Sequence, residues 1–264
     1  MLKDIDLFLL DMDGTVYHEN TLIPGASEFF SKANARGKKY AFMSNNSSKS
    51  KSDYISKLNQ LKVEAESNQI ISSVTVTLNY LKQHYPDNAK IYLVGTKSLK
   101  SELQNAGYNI VPTEYRGEDI DICILGFDTE LTYDKLQGLC YHVSLGKDYI
   151  ATNCDLRCPV KGNRFIPDCG AMAKMVELAT ERTPKFLGKP EPDIVYTASE
   201  IFNVPVSKIM CVGDRLYTDI AVGINAGAKS ALVLTGEATE TDVLTSPFKP
   251  TYIFSSIKEI AEIL

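Results

Sequence analysis

The run Leu7-Phe8-Leu9-Leu10, followed at once by Asp11-Met12-Asp13-Gly14-Thr15, constrains this chain more than any other stretch. Four consecutive apolar residues leave no polar face. That is the pattern of a parallel strand buried on both sides rather than of a half-exposed one. Two carboxylates then stand where the strand should end, and Gly14 lets the backbone turn. In open α/β sheets, ligands bind at the carboxyl ends of the strands. Holding two like charges together is costly unless a cation or hydrogen-bond donors compensate. The stretch therefore reads as a divalent-metal site in which one carboxylate also reacts. A calcium loop would need a Glu at its twelfth position, and counted from Asp11 that position is Leu22. A plain strand-end turn is the remaining alternative.

Beyond this stretch, short apolar runs alternate with helical patterns. Pro24-Gly25-Ala26 opens a helix through about Arg36, and Gly37 ends it. Tyr40 to Met43 is a second strand, running into the polar segment Ser44-Asn45-Asn46-Ser47-Ser48 and a helix near Lys51. Ile70-Ile71 starts another element, and Val74 to Tyr80 reads as helix. Strands at Lys90 to Val94, Ile120 to Leu125 and Tyr149 to Thr152 alternate with helices at Leu99 to Ala106 and Tyr133 to Gly146, a pattern fit for a second small sheet. Lys208 to Val212 is a strand that stops at Gly213-Asp214. The helix Asp219 to Ala226, the strand Ser230 to Leu234, Tyr252-Ile253-Phe254 and a closing helix follow. Alternation of this kind predicts an α/β fold with a doubly wound parallel sheet.

A chain of 264 residues holds one large domain or two modest ones. Its net charge of −5 argues against nucleic acid as a partner and leaves an anionic ligand dependent on local positive charge. No apolar run is long enough to span a bilayer and no signal-like core precedes the first strand, so the expected setting is cytoplasmic, with no membrane partner. Cys123, Cys140 and Cys211 sit in apolar segments as small core residues. Cys154, Cys158 and Cys169 crowd one region without zinc-site spacing. His18, His84 and His142 show no partner pattern and read as structural.

Four polar clusters fall at strand ends or loop-to-helix junctions: Asp11/Asp13, Ser44/Asn45, Lys189 and Asp214/Asp219. A parallel sheet gathers all its strand C-termini on one edge, so clusters distant in sequence can converge. Asp11, Asp13 and Asp214 suit Mg²⁺, which takes a few carboxylates and completes its octahedron with water and substrate. Ser44, the Asn45 backbone amide and Lys189 suit a phosphoryl group. Taken singly, each cluster has an ordinary reading. Ser44-Asn45 can cap a helix, Lys189 can be a surface lysine, Gly213-Asp214 a turn and Asp219 an N-cap.

In their order along the chain, these residues resemble the motifs of the haloacid dehalogenase superfamily of aspartyl-phosphate phosphatases. Asp11-Met12-Asp13-Gly14-Thr15 is similar to the first motif, Ser44 to the second, Lys189 to the third, and Gly213-Asp214-Arg215-Leu216-Tyr217-Thr218-Asp219 to the fourth. Ser44-Asn45-Asn46-Ser47, Gly188-Lys189-Pro190 and Ala151-Thr152-Asn153-Cys154-Asp155 resemble the NagD-like branch, the p-nitrophenyl and sugar phosphatases. That branch usually has Pro after Asn153, where this chain has Cys154. The resemblance implies a Rossmann-like core with an inserted α/β cap: core over residues 1–79, cap over 80–180, core again over 181–264.

It also implies roles. Asp11 would be the phosphorylated nucleophile and a metal ligand. Asp13 would be the general acid/base, with its main-chain carbonyl on the metal. Ser44 and Asn45 would bind the phosphoryl group, and Lys189 would hold that group and Asp11. Asp214 would ligate Mg²⁺, with Asp219 supporting the site from behind. The implied activity is Mg²⁺-dependent hydrolysis of a small phosphorylated metabolite. Phosphotransfer to an organic hydroxyl on the same fold is the close alternative. A signalling receiver is a further alternative, disfavoured by length and by a candidate nucleophile on the first strand. Asp155, Arg157, Lys161, Asn163 and Arg164 either meet the leaving group or form a solvated loop. A cap-to-cap homodimer is what the resemblance allows for assembly.

Overall fold

The computed structural model describes residues 2–160, 162 and 164–264. The chain divides into two compact units. The first comprises residues 1–44, 51–72 and 189–264, and the second residues 45–50 and 73–188.

The first unit is built on a six-stranded parallel sheet. Its spatial order is Tyr252–Phe254, Lys229–Val233, Ile209–Gly213, Leu7–Asp11, Lys39–Ser44 and Ile70–Ser72. Leu7–Asp11 is therefore interior, and the chain winds away from it in both directions. Alternate residues of the strands (Phe8, Leu10, Phe42, Met210, Val212, Ala231) join one core cluster with Phe29 and Phe30 of the helix Ala26–Ala35 and with Ile257 and Ile260 of the helix Ile257–Ile263. Phe8 and Phe29 meet edge to face at 5.3 Å. Leu7 and Leu9, on the other face of the strand, are fully buried as well. Burial on both faces is why the first strand reads as an unbroken apolar run. Each such side chain contributes about 1.5–3 kcal/mol over leaving it in water.

The second unit carries its own parallel sheet, ordered Lys185–Phe186, Asp148–Ala151, Ile122–Leu125, Lys90–Val94 and Asn109–Ile110. Thr96 and Thr132 cap the helices Lys97–Asn105 and Tyr133–Ser144 through their hydroxyls. Tyr92, Val94, Leu125, Leu139, Met172 and Val176 lie in its core cluster. An antiparallel hairpin, Arg157–Val160 with Arg164–Pro167, extends the unit. Among the described residues, no helix is long and apolar enough to cross a membrane.

One expected helix differs in form. The segment from Asp219 opens as a π-helical turn over Leu216–Ile220 and becomes regular α-helix only at Ala221–Ala226. Such wide turns are concentrated at functional sites. Here the turn brings the Asp219 carboxylate back onto its own strand. A Cβ on Gly213 would lie 2.2 Å from Asp219 Cβ, so only glycine fits beneath it.

Candidate active site

The sheet reverses its winding at Leu7–Asp11, between Lys39–Ser44 on one side and Ile209–Gly213 on the other. Crevices at such switch points are the ligand sites of open α/β sheets. Asp11 is the last residue of the first strand, and Asp214 directly follows its neighbour. The chain then turns at Gly14, whose φ of +89° disfavours other residues. The Gly14 amide donates to the Tyr17 carbonyl (2.9 Å), while the Val16 and Tyr17 amides donate to the Met12 carbonyl. This knot points the first carboxylate inward and leaves the second outside. The Asp11 side chain is only 16% exposed, the Asp13 side chain 69%.

Lys189 joins the cluster from far along the chain. Its buried ammonium donates to Asp11 Oδ1 at 2.6 Å and to Asp219 Oδ1 at 2.6 Å. Asp219 Oδ2 accepts from the Arg215 amide at 3.1 Å. Asp214 Oδ2 accepts from the Glu237 amide at 2.7 Å. Among the described residues, the buried Asp214 Oδ1 has no hydrogen-bond partner. Asp11, Asp214 and Asp219 each place a carboxylate oxygen within 4.8 Å of the others.

Charge counting shows what this cluster lacks. Three carboxylates face one buried ammonium, and Arg215 is engaged 3.0 Å away by Glu237. With all three carboxylates ionised, the balance is −3 + 1 = −2. Burial raises the Asp11 carboxyl well above the usual range, with Asp219 and Asp214 adding to the rise against the pull of Lys189. Burial, then Asp219, likewise raises Asp214. Burial opposes the Lys189 charge, but Asp11 and Asp219 overcome it and hold the ammonium above the ordinary lysine range. A doubly negative, oxygen-only cluster with one buried oxygen unpartnered fits a small hard divalent cation.

Ser44 ends the strand beside Asp11, whose register partner is Met43. Its hydroxyl is 3.0 Å from the Tyr54 hydroxyl, and burial holds that phenol protonated. Asn45 belongs to the second unit, where its side-chain amide donates to Asp155 Oδ2 at 2.6 Å and its main-chain carbonyl accepts from Ser73 Oγ at 2.7 Å. The structure thus brings together Asp11, Lys189, Asp214 and Asp219, with Ser44 at the next strand end. In the hairpin, Arg157 stacks its guanidinium over the Phe165 ring at 4.4 Å, and Arg164 is exposed. Lys161 and Asn163 lie outside the described residues.

His18, without a partner pattern in the sequence, has two neighbours beside the site. Its Nε2 lies 2.6 Å from the Thr235 carbonyl and its Nδ1 3.7 Å from Asp13 Oδ1. No spacing in the sequence announces this, because the contact joins a two-residue strand to a loop 217 residues away. Tyr54 and Glu237 are equally silent. Gly236, just after an apolar strand, is the one local signal of a close backbone approach.

Fold and site together define a class: a doubly wound α/β enzyme with a carboxylate–lysine centre at its switch point. Comparison with known proteins gives the family. Residues 8–109 match the model of the haloacid dehalogenase-like hydrolases, and residues 186–260 match a second, HAD-hydrolase-like model. The chain is 34% identical to an acid sugar phosphatase of Staphylococcus aureus, over 99% of each protein. Among solved structures, 4-nitrophenylphosphatase from Thermotoga maritima superposes with a TM-score of 0.92 at 38% identity, covering 99% of this chain and 98% of that one. NagD from E. coli K-12 superposes at 0.87 with 30% identity, covering 97% and 98%. The chain belongs to the haloacid dehalogenase-like hydrolases, in their NagD-like phosphatase branch.

Proposed function

We propose that this protein hydrolyses small phosphomonoesters, sugar phosphates among them, by passing the phosphoryl group through Asp11 with Mg²⁺ as cofactor. The supporting observation is the clamped centre: Lys189 bridges Asp11 and Asp219 beside an unpartnered Asp214 oxygen. Asp11 and Asp214, with the main-chain carbonyl of Asp13, would hold the cation. Bound there, Mg²⁺ would offset the surplus charge of the cluster and draw negative charge from the phosphoryl oxygens.

The residues of the chain then divide the work. Lys189 holds one oxygen of Asp11 and so orients the carboxylate for attack on phosphorus. As the bond from Asp11 to phosphorus forms, the bond to the ester oxygen breaks. The Asp13 carboxyl gives its proton to the departing alkoxide. In the second step Asp13 takes a proton from water, whose oxygen attacks phosphorus and frees Asp11. The exposed position of Asp13 suits a group that must meet both a leaving alcohol and water. Ser44 and Asn45 complete the reading as donors to the phosphoryl oxygens, residues 80–180 as the cap, and the cytoplasm as the setting.

The test is phosphate release from p-nitrophenyl phosphate and a panel of sugar phosphates, with Mg²⁺ and no added acceptor. Asp11→Asn is nearly isosteric and should lower kcat by about 10⁴-fold or more while leaving the fold intact. Retained turnover in that variant overturns the covalent route. Turnover that appears only with an added alcohol would make the protein a phosphotransferase.

A further inference from the structure

Asp214 is held by a loop to which neither the motifs nor the mechanism above assigns a role. Thr235-Gly236-Glu237 follows the strand Lys229–Val233 and folds back over the site. The Glu237 amide fixes Asp214 Oδ2 at 2.7 Å, and the Ala238 amide donates to the Asp214 carbonyl at 3.0 Å. A Cβ on Gly236 would fall 1.9 Å from Asp214 Oδ2, and one on Gly14 would fall 2.6 Å from the same atom. That oxygen is thus sandwiched between two bare glycines and capped by an amide. The carboxylate has one orientation left, and in it Oδ1 is the buried oxygen without a partner.

The same loop grips the first motif. Thr235 Oγ1 donates to the Gly14 carbonyl at 2.6 Å, and the Thr235 carbonyl accepts from His18 Nε2 at 2.6 Å. His18 presents its other nitrogen to Asp13. Three consecutive residues therefore touch both acidic motifs, one through an amide and a missing side chain, the other through a hydroxyl and a carbonyl.

We propose that Thr235-Gly236-Glu237 is a positioning strap that selects Asp214 Oδ1 as the cation-facing oxygen and locks the Asp13-Gly14 turn against it. The inference rests on the reading of the centre as a Mg²⁺ site. Gly236 is the sharpest probe, because its φ lies outside the left-handed region. Its backbone accepts alanine, and the three atoms nearest the added methyl all belong to the Asp214 side chain. Partners that orient metal ligands are typically worth about 10–100-fold in metal affinity.

The experiment measures the thermal unfolding midpoint of the full chain against Mg²⁺ concentration, alongside kcat and KM for p-nitrophenyl phosphate. Gly236→Ala should raise the half-saturating Mg²⁺ by about 10–100-fold, with KM at saturating Mg²⁺ close to wild type. A strap that merely packs would lower the metal-free midpoint and leave the Mg²⁺ requirement unchanged, which overturns the proposal. Should Gly236→Ala fail to fold, Thr235→Val and Thr235→Ser decide. Valine keeps the shape and loses the donor to Gly14, so kcat should fall about tenfold or more, and serine should restore it. Equal kcat in all three overturns the proposal. A wild-type chain that hydrolyses the ester, beside a Gly236→Ala chain with the same Mg²⁺ requirement, overturns the strap and leaves the function standing. A wild-type chain whose midpoint ignores Mg²⁺ overturns both.

Discussion

Two carboxylate clusters in this molecule use the same residue type to opposite ends. In the first unit, Asp11, Asp214 and Asp219 crowd within 4.8 Å around a single ammonium, and one buried oxygen goes without a partner. In the second unit, Asp155 Oδ2 accepts from the side-chain amides of Asn45 and Asn153 at 2.6 and 2.8 Å. Asp168 Oδ1 accepts from Asn153 at 3.0 Å and from the Cys169 amide at 2.6 Å, where it caps the helix Cys169–Thr180. Neutral amides and a helix N-terminus disperse the charge of the second cluster locally. The first cluster shares one ammonium and two backbone amides, from Arg215 and Glu237, among three carboxylates. Carboxylate number does not separate a reactive centre from a structural one; the balance between buried charge and available donors does.

The contrast breaks most visibly at Lys189. Removing one partner of a buried, hydrogen-bonded ion pair typically costs about 3–5 kcal/mol. Lys189 and Asp219 are both almost wholly buried, so Lys189→Met should lose stability on that scale without Mg²⁺. Added Mg²⁺ should recover part of it by supplying positive charge to the same oxygens. Urea titrations with and without Mg²⁺ measure both quantities. A Lys189→Met chain as stable as wild type in the absence of metal would mean that the cluster is not short of positive charge.

Neutralising one acid in each cluster should give effects of opposite sign. Asp214→Asn removes a charge that burial and Asp219 already disfavour. The metal-free protein should gain about 1–2 kcal/mol, from relief of a buried charge crowded by Asp219, and lose its response to Mg²⁺. Asp168→Ala removes a helix cap and should cost about 1 kcal/mol, with the Mg²⁺ response intact. Calorimetry of both variants, with and without Mg²⁺, reads all four values. Destabilisation by both substitutions in metal-free protein would erase the distinction between the clusters.

Much of this was legible from particular residues. The buried first strand, the Asp11 and Asp214 strand ends and the helix stop at Gly37 follow from apolar runs and turn chemistry that act locally. The hairpin Arg157–Val160/Arg164–Pro167 does not, because Pro159 and Pro167 interrupt its pattern and most of both strands is exposed. The helix Cys169–Thr180 has a readable start in Asp168. Met175 and Leu178, both exposed, blur its apolar stripe. Within the site, Lys189 is marked by the local run Gly188-Lys189-Pro190, but its partner Asp11 lies 178 residues away and is not legible from that run. The His18–Thr235 contact is hidden for the same reason.

The smallest expected effect tests the second unit alone, at a titratable group outside both clusters. His142 is fully buried in the helix Tyr133–Ser144, against the Tyr92 ring at 4.8 Å. Its Nε2 lies 3.0 Å from the Tyr115 carbonyl, which can only accept, so the proton sits on Nε2. Nδ1 is buried with no hydrogen-bond partner among the described residues. A second proton there would meet no acceptor. Burial accordingly lowers the His142 pKa below its ordinary 6.5, with nearby Arg116 and Lys147 adding to the fall and the Tyr115 carbonyl opposing it. Below about pH 6.5 the unfolded chain takes up a proton that the native unit refuses, so this residue costs stability as pH falls. Asp11 and Asp214, raised in the first unit, act with the opposite sign in metal-free protein. A global midpoint would mix the two, and a site-resolved readout separates them. Hydrogen exchange in the helix Tyr133–Ser144, corrected for intrinsic rates, should lose protection between pH 7.5 and 5.5 in wild type. His142→Phe keeps a ring against Tyr92 and removes the titration, so its protection should stay flat over that range. An identical slope in both proteins would show that His142 does not set the acid sensitivity of this unit.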